Sequence, residues 1–300
     1  MGISVYKLKK WYQILAGKSI HTVNQGLGTC YSKTEVAGYY NDLTEKVTRD
    51  DPTILVPEYH VDTGERIEFS IGVFQYGLGS YDLYLTRHEE CYKEKVLACA
   101  DWAVSNQQED GGWNTFSYKT PEHPYSSMAQ GEGISLLIRA HRTTGDAKYL
   151  EAAHKAVAFM LKPICDGGTT AYCGEDVYFY EYTHSPLVLN GWFFSLWGVY
   201  DYWKYTGDTK AGELLKATLA TVKKKLPEYD LKYWSKYDDG KRLASPFYHK
   251  LHIAQLTAMY DLFGDSIYRE YAEKWQSYQN SFWKPKRALV TKALQKILER

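Results

Sequence analysis

The sequence predicts a mainly α protein, an α/α toroid of helical hairpins with a small extended or β segment near the N-terminus. From residue 69 onward, apolar residues recur with the helical period in segments joined by alternating short and long connections. The short connections at 144–146, 206–208 and 263–265 each contain Gly-Asp, where Gly suits a helix C-cap and Asp suits the next N-cap. They recur about every 60 residues, which indicates stacked hairpins that bury their apolar faces against their neighbours.

Four pairs of helices follow from this pattern: 69–84 and 88–106, 126–142 and 147–161, 188–205 and 209–225, 249–262 and 266–281. Residues 69–283 would then form the toroid. Residues 1–68 would be an N-terminal arm, with short extended segments near 53–56 and 59–61, packed on the body. Residues 284–300 form a basic helix that is expected to dock on the body.

Three long linkers join successive hairpins, at 111–125, 165–186 and 227–247. In a ring of hairpins such linkers gather at one end, where enzymes commonly assemble a site on a rigid scaffold. We therefore expect a cleft at the rim that these linkers form.

Composition excludes several classes of protein. Thirty-six basic and 36 acidic side chains cancel, so a nucleic-acid binder, which needs clustered positive charge, is not indicated. The 28 Tyr and 9 Trp suit sugar binding, or packing of the core. The five cysteines have no CxxC spacing, so neither a zinc site nor a disulfide framework is expected. Only Cys165 and Cys173 are placed to pair, and only in an exported protein.

The sequence contains no signal for a membrane or for a cofactor. No run reaches the ~18 apolar residues of a membrane span, and residues 1–18 lack the continuous apolar core of a signal peptide. A cytoplasmic location is the default expectation, and a homodimer is compatible with the sequence. No phosphate-binding or dinucleotide-binding loop is present, so no cofactor is expected.

One stretch, residues 178–191, combines chemistry with a helix start. Glu181 stands among four aromatic residues, and after Pro186 the chain enters a long apolar helix. A carboxylate among aromatics has a pKa raised towards neutrality, which suits a proton carrier. The alternative is a loop glutamate held by backbone amides ahead of the helix.

Four stretches match the motifs of one enzyme family in order and spacing over residues 70–280. They are 101–107 with 111–113; 125–131 with 134–135 and 139–140; 181–182 with 188–191; and a fourth that runs from 226 to 256 and includes Tyr248 and His249. A further match is the Gln-Tyr-Gly-Leu of 75–78. Together they resemble the D-glucuronyl C5-epimerase family, which inverts C5 of glucuronate in heparan-type polysaccharides.

The resemblance implies an epimerase that converts D-glucuronate to L-iduronate in a heparosan-type glycan, without a cofactor or metal. Such a reaction needs two proton carriers on opposite faces of the sugar. It implies Glu181 and Tyr248 in these roles, with Tyr182 and Tyr237 as alternate proton carriers or hydrogen-bond donors. For Tyr182 and Tyr237 the alternative is a buried tyrosine with a satisfied hydroxyl.

Eight further residues are predicted to bind substrate. One set, for which packing or capping roles remain open, would line the cleft: Tyr76, Tyr125, Gln130 and Asn190. A second set surrounds Tyr248 in the sequence and would orient it or supply positive charge: Arg242, His249, Lys250 and His252. His249 and His252 have the spacing of metal ligands on a helix, but no third ligand is spaced to join them.

Two alternative functions remain open at this point. A polysaccharide lyase shares the C5 proton abstraction and often the helical toroid. A non-catalytic glycan-binding relative is the other alternative, because Ser245, Pro246 and Phe247 replace the Arg and Asp that family members usually carry just before the final Tyr-His.

Overall fold

The computed structural model describes residues 23–61 and 64–298, and in this part of the chain the fold is mainly α, as predicted. Its helices are α1 Thr44–Thr48, α2 Ser70–Arg87, α3 Glu90–Asn106, α4 Ser127–Thr144, α5 Ala147–Leu161, α6 Leu189–Thr206, α7 Thr209–Lys225, α8 Pro246–Phe263, α9 Ser266–Gln279 and α10 Lys284–Leu298. Helices α2 to α9 form the four predicted hairpins.

At the three short connections, most of the predicted Gly C-caps and Asp N-caps are present. Each Gly of the three connections adopts the left-handed conformation at a helix C-cap. Asp146 and Asp208 accept a hydrogen bond from the first turn of the following helix. Asp265 makes no such cap, and instead pairs with Lys223 at 3.1 Å.

The inner helices of the hairpins pack in sequence around a common centre. Helix α4 packs against both α2 and α6, and α8 packs against α6, while α3, α5, α7 and α9 cover the outside. Residues 127–140 of α4 and 189–202 of α6 are buried without interruption. A helix buried on all sides belongs in the interior, which is the place of the inner helices of a toroid.

The segment before α2 crosses the C-terminal ends of the inner helices and covers that end of the ring. Residues 31–40 of this segment make polar contacts with all four of them. The Tyr39 amide donates to Asp82 of α2 (2.8 Å), Arg139 of α4 donates to the Ala37 carbonyl (2.9 Å), and the Tyr40 and Tyr31 hydroxyls donate to Asp201 of α6 (2.5 Å) and Asp261 of α8 (2.7 Å).

Two small antiparallel hairpins lie between the helices. Strands β1 Tyr59–His60 and β2 Arg66–Ile67 form the extended segment expected near the N-terminus, although 53–56 forms turns. Strands β3 Thr170–Cys173 and β4 Asp176–Phe179 were not predicted, and they deliver the chain to Glu181. Cys165 and Cys173 are free and exposed, so the pairing considered from the sequence does not occur.

Helix α10 packs on the body. Ala288 is buried, the Lys292 ammonium donates to the Leu243 carbonyl at 2.6 Å, and the Gln295 side chain accepts from the Leu243 amide at 2.9 Å. Among the helices described, none is both long enough and apolar enough to span a bilayer.

Candidate active site

The three long linkers meet at one rim, as expected from the ring. Phe116 of the first linker stacks on Tyr182 of the second, with ring centroids 4.6 Å apart. The second linker meets the third where the Leu187 amide donates to Asp239 at 2.8 Å. This rim lies at the N-terminal ends of the inner helices, opposite the end that the N-terminal segment covers.

A cavity of about 240 Å³ opens between these helix ends. That volume is about the share of eight water molecules in the liquid, at about 30 Å³ each. All four inner helices contribute to its wall, which is largely aromatic and aliphatic. Its polar lining is Gln25, Lys46, Tyr59, Gln75, Glu181, Tyr182, Asn190 and Tyr248.

The Glu181 carboxylate is the buried acid of the cavity. The residue is 6% exposed, and its Oε2 has no hydrogen-bond partner among the described residues. Burial raises its pKa to about 7, although the Tyr182 hydroxyl and the charge of Arg242 act in the opposite direction. A carboxyl group with this pKa can both take and return a proton at neutral pH.

Gly191 allows the Glu181 carboxylate to lie against the first turn of α6. A Cβ at position 191 would come within 2.4 Å of Glu181 Oε2. Val188, the N-cap of α6, offers no side-chain cap, and the Leu189 amide donates to the Tyr237 carbonyl at 3.1 Å. The positive end of the helix dipole favours negative charge in the cavity. The glycine therefore has a steric role in the site.

Tyr248 lies in the first turn of α8, on the wall of the same cavity. Burial raises its pKa to about 12, and the Glu181 charge adds to this, while the Tyr237 hydroxyl and Arg242 lower it. The rings of Tyr237 and Tyr248 are 4.7 Å apart. At neutral pH the Tyr248 hydroxyl therefore carries its proton and can donate it.

Tyr182 lines the cavity beside the acid. The charge of Glu181, and then burial, raise its pKa well above its ordinary value. Tyr182 is therefore a neutral hydrogen-bond donor in the cavity, whereas Tyr237 is absent from the lining and contacts Tyr248 from behind.

Comparison with known proteins identifies the family. A family model described as "D-glucuronyl C5-epimerase C-terminus" matches residues 107–277, which is more than half of the chain. The chain belongs to this epimerase family.

Two relatives and one solved structure are similar to this chain. The D-glucuronyl C5-epimerase of Caenorhabditis elegans is 30% identical over 65% of this chain and 36% of its own length. An uncharacterized protein of Methanocaldococcus jannaschii is 32% identical over 50% of this chain and 51% of its own. The chain thus spans between about a third and a half of these relatives. A crystal structure of an unsaturated glucuronyl hydrolase specific for heparin shares the fold, with a TM-score of 0.52 and 12% identity over 72% of this chain and 63% of that one.

Asn190 is the one of the four predicted cleft residues that lines the cavity. Its side-chain Oδ1 has no hydrogen-bond partner among the described residues. The other three hold helices and linkers together outside the cavity. Tyr76 donates to the Ile54 carbonyl (3.0 Å), Tyr125 lies 3.4 Å from Asp110, and Gln130 accepts from the Trp113 amide (3.1 Å) and donates to the Gly111 carbonyl (3.0 Å).

The two predicted histidines are buried behind Tyr248 and are neutral. His249 accepts from the Ser235 amide at 3.2 Å and contacts the Trp275 carbonyl at 3.1 Å, and burial lowers its pKa to about 4. Burial also lowers the pKa of His252 well below its ordinary value. Neither ring therefore supplies the positive charge expected from the sequence, and Lys250 is exposed and outside the cavity lining.

Arg242 lies near Glu181 and Tyr248 but outside the cavity lining. Its guanidinium pairs with Asp238 and lies 5.0 Å from the centre of the Tyr237 ring. Its charge lowers the pKa of both Glu181 and Tyr248. Arg242 thus acts on the proton carriers at a distance. In the described part of the chain, no three His, Cys, Asp or Glu side chains are grouped so that they could hold a metal.

Four polar residues of the cavity lining were not predicted from the sequence: Gln25, Lys46, Tyr59 and Gln75. Lys46 and Gln75 line the cavity, and Gln75 donates at 2.7 Å to Glu132, whose other oxygen has no partner among the described residues. Gln75 belongs to the Gln-Tyr-Gly-Leu motif of residues 75–78, in which Tyr76 and not Gln75 was predicted to bind substrate. Lys46 lies in the N-terminal arm, where no motif marks it.

Proposed function

We propose that the protein is an isomerase that inverts C5 of D-glucuronate to give L-iduronate within an anionic uronate-containing polysaccharide or oligosaccharide, with heparosan-type glycans as the first candidates. The supporting observation is that Glu181, with a pKa of about 7, and the neutral Tyr248 line one cavity. Membership of the epimerase family supports the same reaction.

The proposed reaction moves one proton off C5 and another onto it. The Glu181 carboxylate takes the C5 proton, and the electron pair of the C–H bond moves into the adjacent carboxylate to give an enediolate. The Tyr248 hydroxyl then gives its proton to the opposite face of C5. Glu181 is left protonated and Tyr248 ionised, and proton exchange with solvent restores both groups.

Stabilisation of the enediolate is the largest demand that this reaction makes on the site. The inner helices direct their N-terminal ends, which carry partial positive charge, at the cavity. The neutral Tyr182 hydroxyl and the Asn190 amide are donors on the cavity wall. These groups stabilise the negative charge that the substrate carboxylate gains in the enediolate.

The direct test uses unsulfated heparosan, chondroitin and other uronate oligosaccharides in deuterated water, with NMR detection at C5. The proposal predicts deuterium at C5 and the appearance of iduronate with at least one of these glycans. An unsaturated uronate that absorbs in the ultraviolet would indicate a lyase instead. Binding without any C5 deuterium on any glycan would indicate a non-catalytic glycan-binding protein, and would overturn the proposal.

Matched variants connect the activity to the cavity. Glu181→Gln and Tyr248→Phe should each abolish turnover. Glu175→Gln and Tyr178→Phe make the same atomic changes outside the cavity lining, one at an exposed turn and one on β4, and should leave turnover unchanged. Normal turnover in both cavity variants would remove the catalytic assignment.

A further inference from the structure

The cavity has one basic side chain in its described lining, and the N-terminal segment supplies it. Lys46 lies in α1, which packs against α2. The two helices approach closely at Gly79, where a Cβ would lie 2.5 Å from the Leu43 carbonyl oxygen. Val47, next to Lys46, is buried in the core. Packing therefore fixes the backbone position from which the Lys46 side chain enters the cavity lining.

The surroundings of Lys46 are acidic. Glu181 lies in the cavity wall, and Glu132 lies fully buried behind Gln75. Burial raises the pKa of Glu132 well above its ordinary value, and its interaction with Glu181 adds to this. A carboxylate that entered this cavity would be repelled by Glu181, and by Glu132 when it is ionised, unless a cation faced it.

The Lys46 amide donates to the Leu43 carbonyl at 3.1 Å, but its ammonium group makes no hydrogen bond or ion pair with any residue that the structure describes. Its side chain is half-buried, so an interaction with an anion there is screened less than at an open surface. The ammonium group thus has its hydrogen-bonding capacity available for a ligand.

We infer that Lys46 binds the carboxylate of the substrate uronate, and so makes the cavity select uronate glycans over neutral ones. The inference rests on the proposed function and names the residue that confers its substrate class. The carboxylate is attached to C5, so anchoring it holds the reacting carbon in the cavity that Glu181 and Tyr248 line. The same cation would stabilise the negative charge that the carboxylate gains in the enediolate.

The protonation of Lys46 supplies an independent readout. Burial lowers its pKa to about 8, and the charge of Glu132 limits the shift. The ionisable groups that line the cavity around it are Tyr59 from β1, Glu181 and Tyr182 from the linker before α6, and Tyr248 from α8. Glu132 of α4 lies behind Gln75 and acts on Lys46 through its charge. Lys46 is thus mostly charged at pH 7, and uronate affinity should fall as the pH rises through about 8.

The test measures binding of a heparosan hexasaccharide and of its carboxyl-reduced counterpart, in which glucose replaces glucuronate. Lys46→Gln should weaken binding of the uronate glycan roughly tenfold or more, the usual effect of losing a hydrogen bond to a charged group. Binding of the neutral glycan should stay within about twofold, since the amide replaces a group that the neutral sugar does not require. Lys46→Arg should restore most of the preference.

Arg49→Gln is the matched control, because it removes a positive charge at the exposed end of α1, where Arg49 pairs with Glu45 outside the cavity lining. It should change neither affinity. Equal losses for both glycans in Lys46→Gln, or no loss for either, would overturn the inference.

The pH dependence of the unaltered protein tests the inference even if the Gln variant folds poorly. Uronate affinity should weaken between pH 7.5 and 9.5, and it should be flat in Lys46→Arg, because arginine stays charged. An affinity in the unaltered protein that does not change over this range would contradict the inference. These readouts need no turnover. Lys46-dependent binding without C5 exchange would refute the proposed epimerisation alone, and exchange with binding that does not depend on Lys46 would refute only the role of Lys46.

Discussion

At the scale of single residues, the burial that raises the pKa of Glu181 also works against the stability of the fold. Its carboxylate is almost inaccessible, and one oxygen lacks a partner among the described residues. The native state therefore prefers the protonated form, which is the meaning of a pKa raised to about 7. Catalytic groups commonly carry such a penalty in stability.

Replacing this acid by its neutral isostere should stabilise the protein in a pH-dependent way. The folded-state pKa exceeds the ordinary 4.5, so the protonated carboxyl supports the fold below pH 4.5, and that support is lost as the pH rises through about 7. Glu181→Gln should thus gain up to about 3 kcal/mol in free energy of unfolding above pH 8, and little near pH 4.5. Urea denaturation at both pH values measures this, with Glu175→Gln as control. An equal effect at both pH values would contradict it.

Local sequence patterns predicted only some of the residues that line the cavity. The family motifs include Glu181, Tyr182 and Tyr248, and the structure places all three in the cavity lining. Gln75 was passed over in favour of Tyr76, which lies outside the cavity. Inner helices buried on all sides show no polar stripe, so periodicity cannot distinguish the cavity face from the core face.

At the scale of elements, helix ends could be predicted where capping is local. The Gly-Asp connections placed six helix ends within a few residues, because a left-handed Gly and a capping Asp act on adjacent backbone groups. The start of α8 was predicted at residue 249, three residues after its first residue, Pro246. It occupies the first turn, where its missing amide proton is not needed, and Ser245 caps the helix. The β3–β4 hairpin had no turn signal strong enough to predict it.

One ion pair joins three elements and should dominate the stability of the ring end opposite the site. Arg139 of α4 and Asp201 of α6 are fully buried and 2.6 Å apart, and Arg139 also donates to the carbonyls of Ala37 and Gly38 in the N-terminal segment. Arg139→Met leaves the Asp201 charge buried without its partner, and should lower the free energy of unfolding by about 3–5 kcal/mol.

Arg142→Met is the control for that experiment. Arg142 lies on the same helix and also pairs with the N-terminal segment, at Glu35, but both side chains are partly exposed. Its removal should change the free energy of unfolding by less than about 1 kcal/mol. If urea denaturation shows similar losses in the free energy of unfolding for Arg139→Met and Arg142→Met, the buried ion pair contributes no more to stability than the exposed one.

At the scale of the whole molecule, the site depends on segments far apart in the chain. The N-terminal segment supplies Lys46, and the linkers and inner helices supply the acid-base groups. The sequence predicted the ring and the rim, because hairpin spacing and linker length are visible along the chain. It could not predict that the N-terminal arm reaches the cavity, because that contact depends on packing of α1 against α2.

Ligand binding should therefore protect distant segments together. With a heparosan oligosaccharide, hydrogen exchange should slow in residues 44–48, 189–192 and 246–251, since each segment contributes to the cavity or to its immediate support. Residues 272–280 of the outer helix α9 and its end lie away from the cavity and should be unchanged. Protection confined to the C-terminal half of the chain would contradict a site completed by the N-terminal segment.

The most direct test of the central claim separates the two proton carriers by the isomer that each one serves. In deuterated water, Tyr248→Phe should still exchange the C5 proton of glucuronate for deuterium through Glu181, without forming iduronate. Glu181→Gln should exchange the iduronate isomer through Tyr248 without forming glucuronate, at a rate that rises with pH because Tyr248 must first lose its proton. Exchange that is lost equally with both isomers in both variants, or inversion that persists in either variant, would contradict a mechanism with these two opposed groups.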